Sequence, residues 1–505
     1  MESIMRPRTF WVFFAFVILL TVVLRLPSLG MILDTDSSAN AFFARQMLKG
    51  EILYDKYHPT HHLPGIYYTF FWAFKLLGDD PASPKILIIF FAVSSAMLIF
   101  FMGQMLFNDA VGMLGSFFYI LGTSQYYLAG TTAEMEHFAN LPLTATLFLF
   151  IVLLKKNARP LHFIWIGVLA AVCILYKIIF IAPLAAIGLA ILLNAWLKRG
   201  QTDIGKKTFA YIGAITAGLL IPLLLVGWYF ASLGLLQRLL LVFTFGFQYV
   251  DNSVLIGEVT FPKPFGFPLF MVAMSNIMLL IFGLFGTYRL LRRSIPLRTS
   301  ENLMELTLAA WLIFSFAIAG FRGGGFQHYV LITIPPLALL GGVEISLTWQ
   351  RWQSSAPKTQ ATIGAGVMIA LVFVNFLWRN YDLYRQFIPA QPGAMTEFQT
   401  SQNNKKAVFE YIEENTSPDD FIYVWSINVQ AYYYADRLPP IDILWPPYVS
   451  ATGPPERIFN PRTKYIVVDD PEAYPRPDWL IQGLDQYYIL ETTINDLEIY
   501  RRLEK

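Results

Sequence analysis

Two aspartates follow closely after the first strongly apolar tract of the sequence, residues 10–29. Asp34 and Asp36 precede a segment with helical spacing, and the simplest interpretation of Asp36 is a cap at the start of that helix. A carboxylate there can also act as a general base that deprotonates an attacking hydroxyl group. The two carboxylates are therefore the first candidates for chemistry.

Cationic residues and further carboxylates recur later, next to other apolar tracts. They are Glu134, Glu136, His137, Lys177, Arg322 and His328, with Tyr329 beside the last. Lysine, arginine and histidine suit an anionic group such as a phosphate, and they stabilise negative charge that grows on it as a leaving group. A leaving phosphate needs no protonation, so one carboxylate base suffices, unlike in the two-carboxylate glycosidases. The residue types favour displacement of a phosphate by a hydroxyl group.

The composition indicates what must position these residues. Of 505 residues, 55% are hydrophobic and only 14% are charged, against roughly 25% charged in soluble proteins. The mean hydropathy is +0.49, so a water-soluble surface cannot be built from this chain. The net charge of +2 gives no support to a nucleic-acid partner, and the single cysteine, Cys173, excludes an internal disulfide and a cysteine-based zinc site. We expect a polytopic α-helical membrane protein.

Eleven predicted spans fit the apolar tracts, because a helix that crosses a bilayer needs about 20 residues. They are 10–29, 86–107, 111–128, 138–154, two within 161–197, 209–231, 265–288, 306–321, 329–343 and 361–378. No small-residue cleavage site follows the first, which predicts a retained anchor. With the N-terminus inside, every basic cluster between spans lies on the cytoplasmic side. A further segment, 233–250, is interpreted as an interfacial helix on the outer face.

Two long stretches lie outside the predicted spans and must face water. With the N-terminus inside, the number of spans before each stretch places both on the outer side of the membrane. The first is the loop 30–85, within a predicted transmembrane domain of residues 1–378. The second is the tail, 379–505, which is predicted to be a small α/β domain. Its pattern predicts one helix and three strands, over 402–416, 421–425, 464–470 and 487–493. With this topology the ionisable residues outline an outward-facing charged cavity, and charges at membrane depth tend to mark function.

The order of these motifs resembles that of the lipid-phospho-sugar-dependent glycosyltransferases of the GT-C class, in the group that contains the protein O-mannosyltransferases and the ArnT aminoarabinose transferases. The matching features are, in chain order, Asp36, the run ARQMLKG, Gly50 to Asp55, Pro64 to Tyr68, Glu134, Lys177, and His328-Tyr329 ahead of Pro335 and Pro336. The resemblance covers about residues 5–350. The tail is similar only in kind to the soluble domains that some members carry.

The resemblance implies an inverting transfer of a sugar from a polyprenyl-phosphate donor to an acceptor hydroxyl on the extracytoplasmic face. It implies no nucleotide-sugar donor. No cofactor is predicted, and no motif in the sequence supports a divalent metal. The implied ligands of the donor phosphate are Lys177, Arg322, His328 and Tyr329. The implied partners are membrane lipids, the donor, and a glycan, lipid or protein acceptor, in the inner (plasma) membrane of a bacterium.

The resemblance also implies that Asp36 is the general base. Many members carry Asp-Glu at this position, whereas this sequence has Asp36 followed by Ser37. The departure leaves Asp34 as a rival base and makes Glu134, together with Asp34, the candidate for positioning the acceptor.

Three other interpretations stay open. The motif His58-Pro-Thr-His-His, completed by Glu134 or His137, suggests zinc, although a polar loop that lines the cavity is favoured because no H-E-x-x-H spacing supports a metal. A polysaccharide ligase or polymerase would use the same kind of glycosyl transfer. A transporter or flippase would also have about eleven spans. In the tail, Trp425 and the three tyrosines at 432–434 either stack on sugars or form the domain core.

Overall fold

Long apolar helices form most of the protein. The computed structural model describes residues 5–251, 265–297, 299–321, 326–426, 428–446, 455–469 and 475–504. Within these residues, nine helical segments are long and apolar enough to cross a membrane. Their helices are Pro7–Leu29, Ala82–Leu106, Met135–Lys155, Ile181–Leu197, Ile204–Ser232, Gly266–Ser294, Ser300–Phe321, Ile334–Ser355 and Lys358–Arg379. Short 3₁₀ segments, Ile178–Phe180 and Gln327–Thr333, lead into the fourth and eighth of them. The prediction of a polytopic helical membrane protein is confirmed.

The two remaining predicted spans correspond to shorter helices. Asp109–Thr123 has 15 residues and Ile164–Tyr176 has 13. At a rise of about 1.5 Å per residue, each is shorter than a bilayer core of about 30 Å. The first is followed by a 3₁₀ turn, Tyr126–Leu128, beside which the Asn380 amide donates to the side-chain oxygen of Gln125 at 2.8 Å. All eleven predicted tracts are thus helical, but they differ in length.

The chain divides into two compact units. The helical unit consists of Met1–Leu29, Lys85–Val226 and Ile256–Leu383. The loop–tail unit consists of Gly30–Pro84, Gly227–Leu255 and Tyr384–Lys505. The sequence assigns the first loop to the transmembrane domain, whereas packing groups this loop with the tail.

Buried polar side chains hold the helical unit together. The Arg25 guanidinium donates to the carbonyl oxygens of Thr123 and Gly130 at 2.9 and 3.1 Å. Glycines allow close helix approach, since a Cβ on Gly218 would lie 1.9 Å from the carbonyl oxygen of Ile164. Small residues at such contacts are typical of membrane helix pairs, where van der Waals packing drives association.

The loop–tail unit contains three helices from the middle and start of the chain: Thr35–Leu48, Gly65–Leu77 and Leu236–Asp251. The last of these is the segment predicted to be interfacial, and that interpretation stays a prediction. The tail contributes the helices Glu397–Glu414, Gln430–Tyr434 and Asp478–Tyr487, and the division between the units falls within the short helix Tyr381–Arg385. A capping box in which Thr396 and Gln399 bond reciprocally starts the longest of them.

A four-stranded sheet forms the core of the tail. Its strands are β1 (Phe421–Trp425), β2 (Thr463–Val468), β3 (Tyr488–Ile494) and β4 (Leu497–Arg502), in the order β1-β2-β4-β3. β1 and β2 are parallel, and the other pairs are antiparallel. The three predicted strands are present, and β4 was missed. Trp425 lies in the sheet's apolar cluster and Tyr432 and Tyr433 are buried, so these aromatic residues are core.

Candidate functional site

Lys177 lies at a break between two helices of the helical unit. The helix Ile164–Tyr176 ends at Lys177, whose φ of −163° and ψ of 129° are extended, and the next helix begins at Ile181. An ammonium in an apolar tract is costly unless it finds a partner. The helix is therefore interrupted at Lys177, and the side chain of Lys177 reaches polar neighbours.

Glu136 and Tyr329 are the neighbours of Lys177. The Nζ atom donates to Glu136 Oε1 at 3.2 Å and lies 3.7 Å from the centroid of the Tyr329 ring. Glu136 is fully buried, and its second oxygen, Oε2, has no hydrogen-bond partner in the described part of the chain. An ammonium has three N–H donors. The pair thus fixes the direction of the ammonium and leaves donor capacity for an added anion.

A second acidic residue stands near His328. Glu134 is the N-cap of the helix Met135–Lys155, and its Oε1 lies 3.8 Å from Nδ1 of His328. The His328 ring packs edge-on against Tyr329, with centroids 4.6 Å apart. Glu134, His328, Tyr329, Lys177 and Glu136 therefore form one contiguous cluster of ionisable and aromatic side chains, the Lys177 cluster.

The short 3₁₀ segment Gln327–Thr333 carries His328 and Tyr329 into this cluster. The segment gives way to an α-helix at Ile334, where Pro335 and Pro336 occupy the first turn, since a proline there loses no helical hydrogen bond. The Asn140 amide, one turn beyond Glu136, donates to the carbonyl oxygen of Leu331 at 3.2 Å. One helix thus holds both the Lys177 partner and the segment that carries His328.

In the loop–tail unit, the two aspartates of the first loop have different roles. Asp34 is the N-cap of the helix Thr35–Leu48, and its Oδ2 accepts a hydrogen bond from the Ser37 backbone N–H at 3.4 Å. Asp36 lies in the first turn, where a carboxylate is favoured by the helix dipole. The capping interpretation of Asp36 is therefore wrong, because Asp34 already caps the helix.

The surroundings of Asp36 include Tyr67 and His62. Burial above all, then the neighbouring Tyr54 and last the negative charge of Asp36, raise the pKa of the Tyr67 hydroxyl, which stays protonated. That hydroxyl lies 3.1 Å from Nδ1 of His62. Residues 37–44 are all buried, so the helix is not an exposed amphipathic one. The helices Gly65–Leu77 and Gln430–Tyr434 pack against it.

Both ring nitrogens of His58 form hydrogen bonds with the protein backbone. Its Nδ1 accepts from the Thr60 backbone N–H at 3.0 Å, so Nε2 carries the proton that it donates to the carbonyl oxygen of Arg238 at 2.7 Å. Burial lowers the pKa of the His58 imidazole to about 4. The ring is buried and its lone pair is used, so His58 is not available to a metal in this arrangement. Within the predicted polar loop, His58 and His62 are both buried.

Comparison with known proteins gave matches among solved structures. No protein-family model and no curated protein sequence matches the chain. ArnT from Cupriavidus metallidurans bound to undecaprenyl phosphate is 13% identical, over 98% of this chain and 98% of that chain, with a TM-score of 0.65. The apo state of the same protein gives a TM-score of 0.60 over 99% of both chains, at 13% identity. The Archaeoglobus fulgidus oligosaccharyltransferase in the apo form is 12% identical, over 93% of this chain and 70% of that chain, with a TM-score of 0.56.

This chain has the GT-C fold. The likeness to ArnT extends through the tail, because the alignment spans nearly both whole chains. The predicted resemblance, which rested on motifs in residues 5–350, is thereby confirmed as a fold and extended to the rest of the chain. At identities of 12–13% the comparison establishes the fold.

The GT-C fold brings several predicted site residues together. Lys177, His328, Tyr329 and Glu134 meet in the helical unit, while Asp34 and Asp36 belong to the loop–tail unit. Arg322 lies outside the described residues. The residue whose role was missed is Glu136, which pairs with Lys177. A signal for it exists in the polar residues Glu136, Asn140 and Thr144, which recur every four positions and so share one face of a membrane helix.

Proposed function

We propose that the protein is a membrane glycosyltransferase that moves a sugar from a polyprenyl-phosphate donor to an acceptor hydroxyl, with inversion at the anomeric carbon. The observation that carries this proposal is the fold shared with ArnT bound to undecaprenyl phosphate, over nearly the full length of both chains. The Lys177 cluster supports it independently, because it offers a half-buried cation with donor capacity for a phosphate.

In the proposed reaction, the acceptor oxygen attacks the anomeric carbon while the bond from that carbon to the phosphate oxygen breaks. The electron pair of this bond passes to the phosphate, where Lys177 and His328, together with Arg322, stabilise the added charge. The Tyr329 ring holds the Lys177 ammonium in place. Asp36 takes the proton of the acceptor hydroxyl, and Glu134 and Asp34 orient the acceptor.

The proposed partners are membrane lipids, the lipid-phosphate donor, and an acceptor that is a glycan, a lipid or a protein. The proposed place is the bacterial inner (plasma) membrane, with the reacting face and residues 379–505 outside. Basic residues between the apolar tracts support this orientation, for example Lys155, Lys198, Arg292 and Lys358. Protease added outside intact spheroplasts should release the tail, and a protected tail would contradict the orientation.

The direct test uses purified protein with a panel of polyprenyl-phospho-sugars and acceptor extracts. Release of polyprenyl phosphate that depends on acceptor supports a glycosyltransferase, and the size of the transferred glycan separates a monosaccharide transferase from a ligase. Movement of intact donor across a vesicle membrane without cleavage would instead indicate a transporter. We propose that no metal is needed, so activity should survive EDTA treatment.

A further inference from the structure

A cavity of about 600 Å³ lies between the helices Gly266–Ser294 and Ile334–Ser355 in the helical unit. Its lining includes four arginines and two polar side chains: Arg289, Arg292, Arg293, Arg351, Gln350 and Ser354. None of the described residues that line the cavity is acidic. The cavity shares no residue with the Lys177 cluster, and the proposed function makes no use of it.

Two of these arginines are held in place by buried carboxylates behind the lining. Arg289 donates to Glu344 at 2.7 Å and to the Thr348 hydroxyl at 3.3 Å. Arg293 pairs with Glu305, whose Oε2 lies 2.7 Å from the Arg293 Nε. These contacts remove rotational freedom from the guanidinium groups. One nitrogen of Arg289, its second terminal one, is buried without a hydrogen-bond partner in the described part of the chain.

The other two arginines are exposed and carry uncompensated charge. Neither Arg292 nor Arg351 forms an ion pair with another described residue. The four guanidinium groups outnumber the nearby carboxylates of Glu344, Glu305 and Glu301, so the cavity keeps a net positive charge. Guanidinium forks match phosphate oxygens in a bidentate manner, and fixed forks lose less freedom on binding.

Apolar side chains next to the arginines indicate a membrane boundary. Phe285 and Tyr288 are 59% and 60% exposed on the helix Gly266–Ser294, although they are aromatic. A helix that exposes such residues and is apolar enough to span a membrane faces acyl chains there. A ligand at the cavity therefore has access to both water and lipid.

We propose that this cavity binds a phosphate group, carried by an anionic phospholipid or by a soluble phosphate ester. Basic pockets between membrane helices on the side that carries the basic loops bind anionic headgroups, at about 1 kcal/mol for each basic residue near the surface. Arg292 and Arg351 receive the phosphate oxygens, and Arg289 supplies its unpartnered N–H groups. The exposed side chains of Phe285 and Tyr288, which precede the arginines on the membrane-spanning helix, accept the acyl chains when the phosphate belongs to a lipid.

The test uses the full chain in nanodiscs of phosphatidylcholine, with and without phosphatidylglycerol, and native mass spectrometry of the lipids that stay bound. The double variant R292Q/R351Q should weaken retention of phosphatidylglycerol about thirtyfold, since it removes two charges. The control K206Q/K207Q removes two charges from another basic cluster, at exposed positions of the helix Ile204–Ser232, and should retain the lipid. A conservative R292K/R351K variant keeps the charge and should fall between wild type and R292Q/R351Q.

A second measurement, with inorganic phosphate and the protein in phosphatidylcholine nanodiscs, distinguishes a phospholipid ligand from a soluble phosphate ester. If inorganic phosphate raises the melting temperature of wild type but not of R292Q/R351Q, and phosphatidylglycerol is not retained selectively, the natural ligand is a soluble phosphate ester. Equal lipid retention in wild type, R292Q/R351Q and K206Q/K207Q, without a phosphate effect, would overturn the proposal. So would equal loss in both double variants, because general attraction to basic loops would then explain it.

Discussion

The Lys177 ammonium lies 3.2 Å from a carboxylate oxygen of Glu136, a residue 41 positions earlier in the chain. Glu136 is fully buried, and breaking a buried ion pair is costly because it leaves an uncompensated charge. The pair therefore determines where the cation stands before any substrate arrives. Tyr329 covers another side of the ammonium. A bound phosphate would therefore add to contacts with Glu136 and Tyr329 that already fix the position of the ammonium.

Replacement of Lys177 by alanine should weaken donor binding. A hydrogen bond to a charged group contributes about 1.5–3 kcal/mol, which corresponds to roughly a tenfold to hundredfold increase in the donor KM. Steady-state kinetics with a polyprenyl-phospho-sugar measures this change. Lys156→Ala serves as the control, because Lys156 is exposed beyond the helix Met135–Lys155. Wild-type KM and turnover in Lys177→Ala would remove Lys177 from the donor site.

Replacement of Glu136 by glutamine should destabilise the protein, because Lys177 then lies half-buried without its carboxylate. Loss of one partner of a buried pair costs about 3–5 kcal/mol. Thermal unfolding in detergent measures the effect. The double variant Glu136→Gln with Lys177→Met should recover part of the loss, since no unpaired charge remains. Additive losses in the double variant would show that the two residues do not stabilise each other.

His58 should make stability depend on pH. Burial holds the pKa of the folded imidazole at about 4, below the ordinary value of 6.5, so the unfolded chain binds the proton first as pH falls. Stability is therefore fully present above pH 6.5 and is lost as pH falls toward 4, by up to about 3 kcal/mol.

Thermal unfolding between pH 7 and 4 checks this dependence. His58→Gln should show a shallower slope over that interval than wild type. The exposed His162 provides a control, and His162→Gln should keep the wild-type slope. An unchanged slope in His58→Gln would mean that another group causes the dependence.

Arg45 should matter more than Lys49 for the packing of the tail within the loop–tail unit. Arg45 bonds Asp79 at 2.6 Å and stacks its guanidinium 3.9 Å from the Tyr433 ring centroid, whereas Lys49 pairs with Asp436 at half-exposed positions. Exposed pairs contribute about 0–1 kcal/mol, and charge-assisted bonds to half-buried groups contribute about 1.5–3 kcal/mol. Arg45→Ala should therefore speed hydrogen exchange in Gln430–Tyr434, and Lys49→Ala should not. Equal effects would contradict the ranking.

The local part of this architecture could be predicted from the sequence. Apolar tracts form helices in a membrane because the backbone must satisfy its own hydrogen bonds there. Lys177 was identifiable as a break because a lysine is costly within an apolar tract. The strands β1, β2 and β3 carry the β-rich runs that the pattern detects. β4 was missed because its run, LEIYRR, is half charged, although Asn495 and Asp496, which have positive φ, form the hairpin turn before it.

The contacts between distant segments could not be predicted. Nothing in the local pattern indicates that Glu136 rather than Glu134 pairs with Lys177, because the choice depends on how two helices pack. The helix Thr35–Leu48 is buried over residues 37–44, and tail residues such as Tyr433, 388 positions after Arg45, contact it. Capping by Asp34 rather than Asp36 likewise depends on a helix start one residue after Asp34, a boundary that residue types alone leave open.

The central claim is that a carboxylate of the first loop deprotonates the acceptor while a lipid phosphate leaves, and Asp36 is the residue that tests it. The most direct measurement is single-turnover release of polyprenyl phosphate by wild type, Asp36→Asn and Asp34→Asn. Because Asp34 caps the helix and asparagine caps equally well, neither variant should disturb the helix. Asp36→Asn should lose a factor of about 10²–10⁴ in the single-turnover rate constant with donor binding retained, and Asp34→Asn, which keeps a polar group that can orient the acceptor, should lose far less. Loss in Asp34→Asn alone would move the base to Asp34, and near-normal release by both variants would contradict the mechanism.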